Sequence, residues 1–445
     1  MTSVIHANYS AQLTSSQDRV SAMDIIEELR WRGAIFDSTP GMEDMLGGEK
    51  TTVYVGFDPT ARSLHVGNLV PIMGLVRMQR HGHSPIAIAG AGTGMIGDPS
   101  GRDDERQLLT VEQIDDNVEN VKLQLAHFLD FDVKSNPARV INNADWLRKI
   151  GMTDFLRDVG KHFTVNYMLS KESVAARMTR EQGISYTEFS YMLLQAYDYL
   201  VLHDDYGCNL QMGGSDQWGN ILAGVELIRR ARGHQVHALS YPLITTASGA
   251  KFGKSVGGAP TLDSEETSPY RFYQYWINVD DADVIPYMKL FTLLEPDQIA
   301  EFEDAVASEP QKREAQRSLA RTVTEMVHGP NGVSTAQRAT DVLFGGEMDG
   351  FSAAELLDIF ADVPSEELDR SLIEGDGLSM AQLLTQSGAA KSNGEARRLI
   401  EGGGVYLNNV RVSDARGLVT LEDAIDGQII VLRRGARNYF ILRLV

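Results

Sequence analysis

Two stretches of the chain run strand, turn, helix, strand, and that order permits few folds. TTVYVGF (51–57) is β-branched and aromatic, as a buried strand is. FDPT breaks it, HVGNLVPIMGLVRMQRHG (65–82) carries helical apolar spacing, and SPIAIAGAGTG (84–94) reads as the next strand. The pattern returns as CNLQMGG (208–214), SDQWGNILAGVELIRRARG (215–233) and ALSYPLITT (238–246). Strand, helix and strand at this spacing imply a parallel sheet with right-handed crossovers. The expectation is an α/β, doubly wound parallel-sheet domain over 51–265, with ligands at the carboxyl ends of its strands.

A length of 445 residues leaves room for one or two further domains. Residues 1–50 read as a polar leader with one helix near Ile25, Ile26 and Leu29. After Pro269 the chain turns helical and charged, and 309–329 reads as one amphipathic helix ending at a Gly-Pro stop, within a helical domain over 266–365. The acidic run 366–377 has linker character. Residues 378–445 combine two short helices (379–387 and 393–401) with strand-like segments, a small α+β module.

Charge bears on the partners. With 41 Lys+Arg against 61 Asp+Glu the net charge is −20, which excludes a wholesale basic coat for nucleic acid but not a local basic patch. Residues 378–445 carry nine basic and six acidic residues, so this module is at +3 and residues 1–377 at −23. The single Cys208 rules out an intramolecular disulfide framework and any multi-cysteine metal site. The N-terminus has no basic start followed by an apolar run, and no stretch approaches about 18 apolar residues, so a cytoplasmic protein with no membrane partner is expected.

Five constellations can carry chemistry. FDPTARSLHVGN (57–68) joins a strand end to a helix start, where unpaired N–H groups make an anion site. His65 and Asn68 lie there, although an ordinary turn with an incidental histidine would look the same. KFGKS (251–255) sets Lys251 and Lys254 in a Gly/Ser/Thr-rich loop, either a cationic clamp for phosphate or stray solvated lysines. In the helix TEFSYMLLQAYDYLVL (187–202), Tyr191, Gln195 and Asp198 stand at i, i+4 and i+7, a polar stripe on an otherwise apolar helix. The three either satisfy one another in the core or line a polar pocket. In QMGGSDQWGN (211–220), Gly214 permits close backbone approach, while Asp216 is either a ribose ligand or a helix cap. GAGTGMIGDPSGR (90–102) lacks the P-loop lysine, and Asp98 reads most simply as a turn residue. No G-x-S-x-G elbow, H-E-x-x-H motif or Cys/His cluster occurs, so no metal site is expected.

H-x-G-N after the first strand and KFGKS after a later one resemble the HIGH and KMSKS signatures of class I aminoacyl-tRNA synthetases. GDPSG, FTVNYMLSKESV, FSYMLLQAYDYL, GGSDQWGN and TSPYRFYQYW, in this order, resemble the bacterial-type tyrosyl-tRNA synthetases over about 50–445. The resemblance implies a Rossmann-like catalytic domain, a helical anticodon domain and a small RNA-binding module similar to a ribosomal protein fold, with Arg397 and Arg398 toward RNA. It implies that Tyr54 and Asp198 pair with the phenol of substrate tyrosine. Asp98, Tyr191 and Gln195 would surround its amino group and Gln217 its carboxylate. Asp216 and Gly214 would meet the ribose of ATP, and Asp58 would lie near the α-phosphate. His65, Thr60, Lys251 and Lys254 would hold the departing phosphates, with Asn68 in the final signature position. Departures are Asn68 for histidine, Phe252 and Gly253 for Met and Ser, and Val55 and Pro71 near the ribose.

The implied reaction joins L-tyrosine and ATP, accompanied by Mg²⁺, into tyrosyl-adenylate, then passes tyrosyl to the 3′ end of tRNA-Tyr. The resemblance further implies a homodimer. Two other readings stay open at this level: a tryptophanyl-tRNA synthetase, which shares the nucleotide signatures, and a non-enzymatic RNA-binding protein on a synthetase body. Tyr54 with Asp198 argues against the first, and the intact lysines with His65 against the second.

Overall fold

The apolar strands pair side by side, and the sheet they build fixes where a ligand can sit. A computed structural model describes residues 23–100, 108–179, 183–247, 249, 252, 258–361, 363–436 and 438–445. They form two compact units, one running to Thr267 and resuming over Tyr275–Gly329, the other made of Ser268–Gln274 and Pro330–Val445.

In the first unit the strands are β1 (Asp37–Ser38), β2 (Thr52–Phe57), β3 (Ser84–Ala89), β4 (Arg139–Asn142), β5 (Cys208–Gly214) and β6 (His237–Tyr241). Their order is β1-β6-β5-β2-β3-β4, all parallel except the antiparallel edge strand β1. Val53, Tyr54, Val55 and Phe57 are all buried, as expected of a parallel strand covered on both faces. From β2 the chain winds outward through β3 to β4, then returns to the other side of β2 as β5 and β6. The reversal between β2 and β5 opens a crevice at their carboxyl ends. The principal helices are α1 (Ile25–Trp31), α2 (Leu69–Arg80), α3 (Val111–Phe128), α4 (Tyr186–Tyr206) and α5 (Trp218–Arg232). Helix α4 starts at Ser185, whose side chain accepts from the Glu188 amide, and stops at the left-handed Gly207. Its apolar side packs on α5 in the main core, with Tyr199, Ala196, Leu227 and Ile228 buried.

Residues 23–50 are more than a leader. They supply β1, and Glu28 of α1 binds Arg32 at 2.7 Å and His81 at 2.6 Å inside the unit. Burial alone would raise the pKa of Glu28; the His81 hydrogen bond and the charges of Arg32 and Arg77 outweigh it and hold the carboxyl at about 2. Arg32 and Arg77 also cap α6 (Asp281–Phe291), donating to the Lys289, Leu290 and Thr292 carbonyls at 2.7–3.2 Å. The expected Gly-Pro stop appears in α7 (Glu314–Leu343): Gly329 takes φ 71° and ψ 178°, and a second helical run starts at Pro330. The stretch 266–365 is accordingly divided between the two units.

In the second unit, β7 (Ser365–Leu368), β8 (Val405–Leu407), β9 (Val410–Arg411), β10 (Ile429–Arg434) and β11 (Asn438–Leu444) form a sheet ordered β9-β8-β10-β11-β7. Ile430 and Leu432 enter one core, with α8 (Met380–Gln386) and α9 (Asn393–Glu401), while Ile429 and Val431 enter the other, the period-2 signature of a covered sheet. The linker expected at 366–377 is corrected: its first residues lie in β7, parallel to β11, and Ile373 is fully buried. Edge strands carry outward charges, and EELD concealed this one. Among the described residues no helix is long and apolar enough to cross a membrane.

Candidate active site

The crevice between β2 and β5 is walled by the polar stripe of α4. Tyr191 and Asp198 are both buried. Tyr191 donates its hydroxyl to Asp58 Oδ2 at 2.8 Å, across the crevice at the end of β2. Thr93 donates to the other oxygen at 2.7 Å. Gly90 makes this possible, since a Cβ there would lie 2.3 Å from Asp58 Oδ1.

Asp198 accepts from Asn143 Nδ2 at 2.9 Å and from Trp146 Nε1 at 2.7 Å. Asn143 also donates to Thr93 and accepts from the Gly92 amide at 2.7 Å, so one amide locks both carboxylates into a single network. Burial raises the Asp198 pKa to about 7, against the two donated hydrogen bonds that lower it. Tyr54 is buried to 1% exposure, and its phenol pKa is raised by burial and then by the Asp198 charge. Tyr54 Oη, Gln195 Oε1 and Gln211 Oε1 are buried and have no hydrogen-bond partner within the protein. A buried hydroxyl without a partner, beside the ionisable Asp198 carboxyl, suits a polar ligand that supplies the missing hydrogen bond.

A second cluster lies at the end of β5. Gln217 donates to Asp98 Oδ2 at 2.5 Å, and the Ser100 amide donates to Oδ1 at 3.0 Å. Asp98 is therefore a turn residue, bound to its own backbone, and also one wall of the crevice. The 3-10 turn Ser215–Gln217 presents Asp216 beside Gly214, where a Cβ would lie 2.6 Å from the Asp216 carboxylate.

The H-x-G-N turn caps itself. His65 Nδ1 accepts from the Gly67 amide at 3.0 Å, and Asn68 Oδ1 accepts from the His65 amide at 3.0 Å. With Nδ1 acting as acceptor, neutral His65 carries its proton on Nε2, a donor. Gly67 is required because a Cβ would sit 2.8 Å from the imidazole. Asn68 serves as an N3 capping residue, committing its oxygen to the backbone rather than to a ligand. Thr60 lines a hollow of about 650 Å³ with Arg62, Gln113 and Asn117. The Val66 amide donates to Pro260 O at 2.9 Å, and the Leu262 amide to Leu64 O at 2.8 Å, pinning the chain that follows KFGKS beside this turn. Lys251 and Lys254 lie outside the described residues.

The structure thus brings Asp58, Tyr191 and Asp198 into one network through Thr93 and Asn143, with Tyr54 beside it, and Asp98 with Gln217 into another. Arg397 and Arg398 belong to the second unit, on the exposed face of α9, opposite the buried Ala396 and Ile400. Sequence reasoning missed Thr93, Asn143, Trp146 and Gln211. Only Gln211 left a local sign, a polar residue inside the apolar strand CNLQMGG.

A family model described as "tRNA synthetases class I (W and Y)" matches residues 47–345, and one described as "Tyrosine--tRNA ligase SYY-like C-terminal domain" matches residues 355–442. The chain is 56% identical over 421 residues to a tyrosine–tRNA ligase of Roseiflexus castenholzii, covering 95% of this chain and 99% of that protein. It is 48% identical over 425 residues to a tyrosine–tRNA ligase of Opitutus terrae, covering 95% and 100%. Among solved structures, a C-terminally truncated mitochondrial tyrosyl-tRNA synthetase of Aspergillus nidulans matches with a TM-score of 0.66 at 28% identity, covering 75% of this chain and 97% of that one.

Proposed function

The chain belongs to the class I tyrosine–tRNA ligases, and we propose that the β2/β5 crevice is where it activates tyrosine. The reaction is that of the family: tyrosine and ATP give tyrosyl-adenylate and pyrophosphate, and the tyrosyl group passes to tRNA. The observation that carries the pocket assignment is the set formed by the buried Tyr54 hydroxyl, which has no partner within the protein, and the buried Asp198 carboxyl whose charge it feels. A phenol fits this set, donating its proton to Asp198 and accepting from Tyr54. Asp98, Tyr191 and Gln195 then face the amino group, and Gln217 the carboxylate.

Asp58 is better suited to orienting Thr93 and Tyr191 than to meeting the α-phosphate, since a carboxylate facing an anion would repel it. Asp216 and Gly214 suit the ribose. His65, Thr60, Lys251 and Lys254 stabilise the charge that develops on the leaving pyrophosphate, with ATP taken as its Mg²⁺ complex. No protein nucleophile is needed: the tyrosine carboxylate attacks the α-phosphate, and the site contributes placement and charge.

ATP–pyrophosphate exchange with each amino acid tests the assignment, and exchange with tryptophan rather than tyrosine would overturn it. Lys254→Ala should slow exchange roughly 100-fold or more while the tyrosine Kd stays within about twofold; equal losses in both would refute the phosphate role. A pH series gives a third test. Because burial raises the Asp198 pKa to about 7, the carboxyl is protonated below that pH and loses the charge that strengthens its hydrogen bond from the phenol. The tyrosine Kd should therefore rise by up to about tenfold per pH unit below 7, and Asp198→Asn should flatten the profile.

The homodimer finds support in the exposed Met152 (77%), Val165 (61%), Leu156 and Leu169, which are apolar residues on two successive short helices. Met152→Asp with Val165→Asp should yield a monomer by sedimentation, and an unchanged mass would exclude this face. Arg397 and Arg398 are assigned to tRNA, and the cytoplasm is the compartment in which ATP and tRNA meet.

A further inference from the structure

Neighbouring parallel strands bring two histidines together at the rim of the sheet opposite the crevice. His203 lies in the last turn of α4, just before β5, and His234 lies between α5 and β6. Because β5 and β6 run side by side in one direction, the turns that enter them meet at their amino ends. Across that gap His203 Nε2 and His234 Nδ1 are 2.9 Å apart, with ring centroids at 5.2 Å and planes at 72°. The other ring nitrogen of His203, Nδ1, is 3.1 Å from the Cys208 carbonyl oxygen. A carbonyl only accepts, so the neutral His203 ring carries its proton on Nδ1. Its Nε2 is left with a lone pair, which receives the proton of His234 Nδ1. The Cys208 thiol is turned away and donates to the Leu210 carbonyl. His203 is half-buried and His234 exposed, so the pair is open to solvent.

We propose that His203 and His234 form a binding site for a divalent transition-metal ion of the Cu²⁺ or Ni²⁺ class, a clip between the carboxyl ends of α4 and α5. An imidazole nitrogen sits about 2.0–2.1 Å from such an ion, so two nitrogens 2.9 Å apart subtend an angle of about 90° at the metal. That is the cis angle of a tetragonal site, whereas a tetrahedral one would hold the nitrogens about 3.3 Å apart. The His203 Nδ1–H donated to a backbone carbonyl is the arrangement that orients a metal-binding imidazole and raises its basicity. For the ion to enter, His234 only changes tautomer: its proton leaves Nδ1 and is regained at Nε2 through water, so both facing nitrogens present lone pairs. The local field favours a cation. Both helices end here, at the left-handed Gly207 and Gly233, and helix carboxyl ends carry partial negative charge. The arginines in the last turn of α5 are already neutralised, Arg232 by Asp204 at 2.6–3.2 Å and Arg229 and Arg230 by Glu226. Among the described residues no third His, Cys, Asp or Glu completes a metal cluster, so water fills the remaining positions.

The test is titration of the full-length, chelator-stripped enzyme with Cu²⁺, Ni²⁺, Zn²⁺ and Mg²⁺ by calorimetry, together with melting temperatures and the paramagnetic resonance spectrum of the Cu²⁺ form. One Cu²⁺ per chain should bind with an axial spectrum coupled to two nitrogens, Ni²⁺ should bind more weakly, and Mg²⁺ should not bind there. At about 100 times its Kd, Cu²⁺ should raise the melting temperature by roughly 3–6 °C. His234→Ala removes an exposed ring without opening the core, and His203→Gln keeps a donor for the Cys208 carbonyl. Each should weaken Cu²⁺ by at least about 10-fold, since loss even of an outer-shell partner costs that much. Pyrophosphate exchange by both metal-free variants should match that of the wild type, because the crevice opens at the opposite rim of the sheet. The proposal is overturned if the two-nitrogen spectrum and the Cu²⁺ affinity survive in the double variant, which would place the ion elsewhere, or if either single variant leaves them unchanged. Zn²⁺ binding more tightly than Cu²⁺ would overturn the tetragonal assignment.

Discussion

Tyr54→Phe should weaken tyrosine binding about tenfold without lowering the melting temperature of the free enzyme. The two effects separate because Tyr54 Oη is buried and bonds to nothing in the protein. A buried hydroxyl without a partner costs about 1–3 kcal/mol, so deleting it removes a penalty from the free fold. The same deletion takes one donor from the bound phenol, worth about 1 kcal/mol. Asp198→Ala should act more strongly and in the opposite sense on stability, since it leaves Trp146 Nε1 without its acceptor and takes one of the two acceptors from the buried Asn143 Nδ2. It should also erode selectivity. Preference for tyrosine over phenylalanine by about 10⁵ is a known property of this enzyme class rather than a consequence deduced from the geometry. The geometry does say where the preference resides. A phenyl ring leaves the Asp198 carboxylate with an unmet lone pair in a desolvated pocket, and alanine removes that cost. Exchange measured as kcat/KM for both amino acids should show the ratio falling by roughly 100-fold or more in Asp198→Ala. A ratio unchanged in both variants would sink the phenol assignment.

The sheet and the α4 stripe were legible because each is local. A parallel strand announces itself by β-branched runs, and Tyr191, Gln195 and Asp198 recur at helical spacing on one apolar segment. The partners of Asp198 were not legible. Asn143 and Trp146 lie 55 and 52 residues away, just past β4, in a segment with no periodicity to single them out. Sheet order alone carries them to the crevice. Asp98 shows the reverse problem: its local role as a turn acceptor to Ser100 is real, and its contact with Gln217, 119 residues on, is invisible until β3 and β5 flank β2. Strand β7 failed for a third reason. It lies at the edge of its sheet, and its outward glutamates look like linker residues.

Reversing charge at Arg397 and Arg398 should abolish most tRNA charging while leaving pyrophosphate exchange untouched. Both side chains are exposed on α9 and face away from Ala396 and Ile400, so glutamate at either position removes no packing. The crevice proposed for adenylate formation lies in the other unit, with its own core. The effect should be large because the remainder of the protein offers tRNA little attraction: residues 1–377 carry −23, against +3 on residues 378–445. If a few local cations on α9 hold the RNA, as proposed, two reversals turn attraction into repulsion. The double variant should lose about 100-fold in kcat/KM for tRNA at moderate salt, and the slope of log affinity against log salt should become shallower by about 0.7–0.9 for each phosphate that is no longer neutralised. Point reversal is a cleaner test than truncation at residue 378. That cut would strip β10 and β11 from β7 and uncover Leu368 and Ile373, so a failure of charging could reflect a collapsed core. Exchange and charging falling together would indicate damage to the fold. Charging retained at wild-type levels, with the salt dependence unchanged, would take RNA binding away from α9.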